Sequence, residues 1–134
     1  MSDMKAKIEV KPELLDGIKE LCKSSSEVYI VSLCTSDGFS IKSFASKGLN
    51  MEADKLAAMS STISALSDST AKQLLQSQFE IASIEAESGT MLLVRTRYLG
   101  VSCVLTVAAN TKMALATARY KTKMLSEKIA SIDA

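Results

Sequence analysis

The sequence contains no histidine and no tryptophan, and one proline among 134 residues. Without imidazole the commonest general base and the commonest nitrogen ligand are missing, which removes most triad hydrolases and zinc enzymes. Cysteine is scarce too. Cys22, Cys34 and Cys103 are odd in number, widely spaced and set in apolar segments. They read as reduced core thiols of a cytoplasmic protein, not as a disulfide frame or a metal site. Net charge is only +1, so nothing global demands nucleic acid or a membrane. No run of about 18 apolar residues could span a bilayer, and no charged-then-apolar leader resembles a signal peptide. Neither a Gly-Lys-Ser/Thr phosphate loop nor a Gly-x-Gly-x-x-Gly turn occurs, so nucleotide hydrolysis by this chain is not expected.

What is present is hydrophobic patterning. A hydrophobic fraction of 47% excludes a disordered chain, and the length suits one domain with one core. Residues 1–11 alternate charged and small residues and read as a loose leader. Residues 12–134 form the domain. Pro12 stands where a first helical residue often stands, and Leu14, Leu15, Ile18, Leu21 and Cys22 share one side of a short helix. EVYIVSLCT (27–35) is apolar on both faces and reads as a central strand. Ser36-Asp37-Gly38 is a tight turn, and FSIKSFA after it alternates as a half-exposed edge strand, with Gly48 in the loop beyond.

The longest element follows. Asn50 can cap a helix over 51–77, about 40 Å long at 1.5 Å per residue. Two stripes run along it. Leu56, Met59, Ile63, Leu66, Thr70 and Leu74 make an apolar face suited to lying on a sheet. Ala53, Ala57, Ser60, Ser64, Ser67 and Ala71 make a small-residue line that would let a second backbone approach. That line is either a solvated face or the contact with a second subunit. Asp54, Ser61, Asp68 and Lys72 form the polar remainder.

FEIASIEAE (79–87), TMLLVRTR (90–97) and VSCVLTVA (101–108) then read as three strands joined by tight turns. Asn110 can cap a last helix with the stripe Leu115, Ala118, Thr122, Leu125, Ile129 and Ile132. The order is α-β-β-α-β-β-β-α, an α+β class with a single five-stranded antiparallel sheet. Apolar content puts 28–34 and 101–108 in the middle and 39–45 and 79–86 at the edges. The long helix should cover one face and the two terminal helices the other.

Chemistry is thinly represented. Asp54 and Asp68 would lie about 21 Å apart along a helix, and Glu85 with Glu87 reads as a solvated pair. Ser36 is a turn residue with no histidine to activate it. Residues 95–128 carry Arg95, Arg97, Lys112, Arg119, Lys121, Lys123 and Lys128 against Glu127 alone. This is either the solvated face of the last helix or a basic surface for an acidic protein or anionic lipid. Tyr98 and Tyr120 offer no stacking platform for nucleic acid.

The order of elements resembles the Roadblock/dynein light chain family, a branch of the profilin-like sheets. SDGFSI after the first strand, MEADKLAAMSSTISAL opening the long helix, and IEAESGTMLLVRTRYLGVSCVLTV carry the resemblance, which covers residues 13–130. The opening of the last helix, AANTKMALATAR, lacks the glycine often found there. The resemblance implies a cytoplasmic, non-catalytic homodimer in which strand 79–86 pairs with its copy and the long helices pack side by side. The expected dimer residues are Ala53, Ala57, Ser60, Ser64, Ser67 and Ala71 with Phe79, Ile81 and Ser83. It further implies a small Ras-like GTPase as partner, no cofactor and no metal. The expected docking rim is Asp54, Ser61, Ala65, Asp68 and Lys72, and Arg95, Arg97 and Arg119 are candidate arginine fingers. Two other classes remain open: a structural adaptor that leaves GTP turnover unchanged, and a small-molecule sensor. For the sensor the strands offer only Ser32, Ser102, Cys34 and Cys103 to orient a ligand.

Overall fold

A computed structural model describes residues 8–46 and 52–133. The elements run α1 (Pro12–Ser24), β1 (Val28–Thr35), β2 (Ser40–Ala45), α2 (Ala53–Leu75), β3 (Ile81–Ala86), β4 (Gly89–Tyr98), β5 (Val101–Asn110) and α3 (Leu115–Ala130). All neighbouring strands pair antiparallel, in the order β2-β1-β5-β4-β3. The two doubly apolar strands are thus interior and the two of lower apolar content are edges, as expected.

Strand parity divides the core. Val31, Leu33, Val94, Leu105 and Val107 point to one face and pack against Leu14, Ile18 and Leu21 of α1 and Leu125 and Ile129 of α3. Ile30, Cys34, Leu93, Val104 and Ala108 point to the other face and pack under Leu56 and Ala57 of α2. The expected layering, one long helix against two terminal ones, is the observed layering.

Local chemistry sets the turns. Gly38 takes φ +97°, which lets the Ser36-Asp37-Gly38 turn close with Thr35 N–H donating to Phe39 O at 2.8 Å. Between β4 and β5, Leu99 and Gly100 both adopt positive φ, +52° and +82°, the two-residue hairpin geometry that fits strand twist. A leucine is costly there, by about 1 kcal/mol, and its side chain packs against the core in return.

Several boundaries differ from expectation. α2 covers Ala53–Leu75 rather than 51–77, and it stops where Gln76 turns left-handed with its N–H on Ala71 O. Asn50 and Gly48 lie outside the described residues. The strand expected over 79–87 covers Ile81–Ala86. Asn110 does not cap α3. It ends β5, and its Oδ1 accepts the Lys112 N–H at 2.9 Å in a turn, while α3 begins after Ala114 with no side-chain cap.

Residues 8–11 belong to the packed structure. Ile8 and Val10 lie against the terminal-helix core, and the fully buried Tyr98 anchors this segment. Its hydroxyl donates to Glu9 O at 2.6 Å and accepts from Lys11 N–H at 2.8 Å. Tyr98→Phe would strand both backbone groups. The expected loss is about 1–3 kcal/mol of stability, read as a lower midpoint in urea unfolding with the slope unchanged.

Candidate interaction surface

α2 lies on the sheet by the opposite stripe from the one expected. Ala57 and Ser60 are fully inaccessible and Ser64 nearly so, while Ala53, Ser67 and Ala71 are half-buried. The small-residue line is therefore the helix's seat on its own sheet, and Ala57, Ser60 and Ser64 have no surface left for a second subunit. The reason is space. The sheet face below carries Ile30, Leu93 and Val104, and over such side chains the helix settles mainly through small ones of its own, with Leu56 the large one it buries. The seat also meets a polar demand. Thr106, on a central strand, donates its hydroxyl to Ser60 Oγ at 2.8 Å, with both groups fully buried. Ser32, opposite Thr106 in the ladder, is buried there as well.

The apolar stripe consequently splits. Leu56 goes down onto the sheet and Ile63 is half-buried, but Met59, Leu66 and Leu74 face outward at 46%, 67% and 76% exposure. Every buried residue of α2 precedes position 65, so its last turns carry large apolar side chains and bury none. The stripe's Ile63 packs against the cluster of Cys34, Ala57, Leu93 and Val104, as do Ala82 of β3 and Met91 of β4, and Met91 also packs against the cluster that holds Leu56. On β3, Ile84 shares the face of Ala82 by parity and is 42% exposed. Exposed apolar side chains thus lie both on the α2 flank and on the same sheet face at β3, which among the described residues pairs with no strand on its outer side.

The other expected residues are scattered. Phe79 is buried; Ile81 is half-buried and packs with the terminal-helix core; Ser83 is exposed on the edge strand. Asp54 and Ala65 are exposed, but Ser61 is half-buried against Gly38 in the β1–β2 turn. Asp68 turns inward. Its carboxylate pairs with Lys72 Nζ at 3.0 Å and with Arg95 Nη1 of β4 at 3.0 Å. Of the expected rim, Asp54, Ala65 and Lys72 are exposed, whereas Ser61 and Asp68 are half-buried.

The Lys72 hydrogen bond, aided by Arg95, holds the Asp68 carboxyl below its usual range, and Lys123 does the same for Glu80 at 2.9 Å. A carboxylate with a lowered native pKa stabilises fully above its unfolded pKa, and that contribution fades as pH falls through the lowered native value. Thermal stability should accordingly drop on the acid side of about pH 4. Asp68→Asn should flatten that limb in melting curves taken across the acid range.

The cations of residues 95–128 do not share a surface. Arg95 and Arg97 lie on the α2 side, whereas α3 places Lys123 on Glu80 and Lys128 within 3.6 Å of Glu20 on the other side of the sheet. A cleft of about 580 Å³ between α1 and α3 carries Glu20 and Glu127 against Lys121 and Lys128. Burial pushes the Cys34 thiol up to about 11 and that of Cys103 to about 12, and it raises Cys22 as well. Among the described residues no three His, Cys, Asp or Glu side chains gather as a metal site, and no helix is long and apolar enough to cross a membrane.

Periodicity alone misses the exposed flank because two neighbouring stripes, both at helical spacing, compete for the sheet. The available signal was Thr106, a hydroxyl in a doubly buried strand, whose partner comes from the serine stripe.

No protein-family model and no curated protein matches the sequence. Solved structures match well. The gliding protein MglB from Thermus thermophilus superposes with TM-score 0.76 at 16% identity, over 92% of each chain. MglB from Myxococcus xanthus gives 0.77 at 20% identity, over 91% of this chain and 95% of that one. A Roadblock/LC7 domain from Streptomyces avermitilis gives 0.69 at 20% identity, over 83% and 89%. At such identities the likeness speaks for architecture, and the element order, the strand order and the two-faced layering described above agree with it: this chain has the Roadblock/LC7 fold.

Proposed function

We propose that the protein is a non-catalytic homodimeric module that binds a small Ras-like GTPase and modulates its nucleotide cycle. The observation that carries the reading is the open surface of Met59, Leu66, Leu74 and Ile84 beside an unpaired strand edge. A second copy answers both needs at once: its β3 would extend the sheet and its α2 would cover the flank. A standard interface buries about 1,600 Å² in total, and a helix pair with a strand pair is of that order. This replaces the small-residue stripe by the large-residue one as the contact between subunits. The GTPase half of the proposal rests on the resemblance to Roadblock proteins.

Of the arginine-finger candidates, Arg95 is engaged with Asp68, and Arg97 donates to Gly100 O at 2.6 Å. A module built this way would act on the GTPase's own switch segments, moving them toward or away from the attacking water. Single-turnover GTP hydrolysis and nucleotide release by a Ras-like GTPase from the same organism, with and without this protein, test the idea. A change in either rate supports it. Unchanged rates together with no measurable binding reject it, and binding with unchanged rates replaces it by a structural adaptor.

A further inference from the structure

We propose that the sheet face beside α2 carries a docking patch for an acidic protein surface, with Ser36, Ser102 and Arg97 in one row and Arg95 and Lys72 alongside. The inference rests on the reading of the chain as a protein-binding module.

The row follows from register. Arg97 stands opposite Ser102 in the β4–β5 ladder. Ser36, just past β1, donates its N–H to Ser102 O at 2.9 Å, and the two hydroxyls lie 2.8 Å apart. Three strands therefore present Ser36, Ser102 and Arg97 side by side, at steps of about 4.8 Å. Arg95 pairs with Val104, which packs beneath Ala57 of α2. Arg97, two residues on, shares that face. Ser36 and Arg97 are exposed, and Arg95 keeps 42% of its side chain in solvent.

The cations are held in place before any partner arrives. Arg97 is tied to Gly100 O, and Arg95 and Lys72 share the two oxygens of Asp68. Each guanidinium has five N–H donors, so one such tie orients the group and leaves donors free. Fixed guanidiniums bind carboxylates in paired hydrogen bonds with little ordering cost. Three cations face two acids here, Asp68 and, in the β1–β2 turn, Asp37, and Asp68 is already shared by two of the cations. The patch is thus a net attractor for carboxylates. A helix with its side chains is about 10 Å across, so α2 stands as a wall beside the row. A flat bilayer cannot reach past that wall, and a protruding Asp or Glu can. No aromatic ring lies in the row to stack a base.

The experiment titrates the ¹⁵N-labelled protein with a hexaglutamate peptide, then with a hexalysine peptide. Expected are shifts confined to the amides of Ser36, Arg97, Gly100 and Ser102 and the Arg97 side-chain N–H, with glutamate only, and weaker in high salt. Arg97→Glu should weaken binding about tenfold or more, with Arg97→Lys in between and thermal midpoints unchanged. Shifts that centre on Arg119 and Lys121 instead, or that survive Arg97→Glu, overturn the proposal. So does better competition by anionic vesicles or single-stranded DNA than by the peptide. GTPase binding is read separately. A GTPase that binds the wild type and Arg97→Glu equally overturns this patch and leaves the proposed function standing. A GTPase that binds neither rejects the proposed function, and the peptide titration then decides the patch alone.

Discussion

Leu66→Glu should give a folded monomer, whereas Ala57→Glu should give no stable fold at all. The two residues share one helix, and their neighbourhoods are opposite. Leu66 is two-thirds exposed, so a carboxylate there costs the single chain almost nothing and places two like charges in the proposed subunit contact. Covering a leucine of this kind contributes roughly 2 kcal/mol, and the charge adds desolvation to that loss. Ala57 is fully inaccessible and packs with Cys34, Leu93 and Val104. A glutamate there needs volume that a close-packed seat does not have, and it leaves a charge without a partner, a combination worth about 4 kcal/mol or more. Sedimentation velocity and far-ultraviolet circular dichroism separate the outcomes: a monomer with native helix content for Leu66→Glu, lost or molten structure for Ala57→Glu. A Leu66→Glu protein that sediments like the wild type would dismiss the dimer surface proposed here. A well-folded Ala57→Glu protein would dismiss the seat.

The second large effect belongs to Gly89, the first residue of β4. A Cβ at that position would lie 2.7 Å from the carbonyl oxygen of Ala109 and 2.7 Å from the hydroxyl of Tyr29. The tyrosine can swing aside, but the carbonyl is part of central strand β5 and cannot. Gly89→Val should therefore prise β4 from β5 at the turn and cost about 3 kcal/mol. Gly100→Val is the instructive comparison. Nothing lies within 4 Å of a Cβ there, and only its φ of +82° resists a side chain, so the loss should be nearer 1–2 kcal/mol. Denaturant unfolding of both variants measures the difference, and equal losses would mean that the contact at Gly89 relaxes freely.

Much of the architecture was legible in the residues themselves. Strands such as VYIVSLCT, apolar on both sides, can only be interior, and SFA with Lys42 can only be marginal. Tight Asp-Gly and Leu-Gly turns leave little choice of pairing. Periodicity could not decide which side of α2 faces the sheet. Leu, Met and Ile at helical spacing look like a core face, yet over Ile30, Leu93 and Val104 the helix sits mainly through Ala57, Ser60 and Ser64, with Leu56 the large side chain it buries. The same ambiguity misplaced the expected interface residues Ala57, Ser60 and Ser64, and it hid Met59, Leu66 and Leu74. Asp68 was misjudged for a different reason. Its partner Arg95 lies on a strand far along the sequence, and such pairings emerge only once the chain has closed on itself. Asn110 looks like a cap because an Asx side chain before a helix usually is one, but β5 runs on through Asn110 and the helix starts only at Leu115.

The two ends of α2 differ in how firmly they are held. Its first half is clamped by the sheet, and its second half has little beyond the Asp68 tether to hold it down. Turns that bury little fray readily. In the proposed homodimer, dilution should therefore do more than separate subunits. It should also melt the tail of this rod, so that the abundance of the protein in a cell governs how much of the rod exists to be met by anything else.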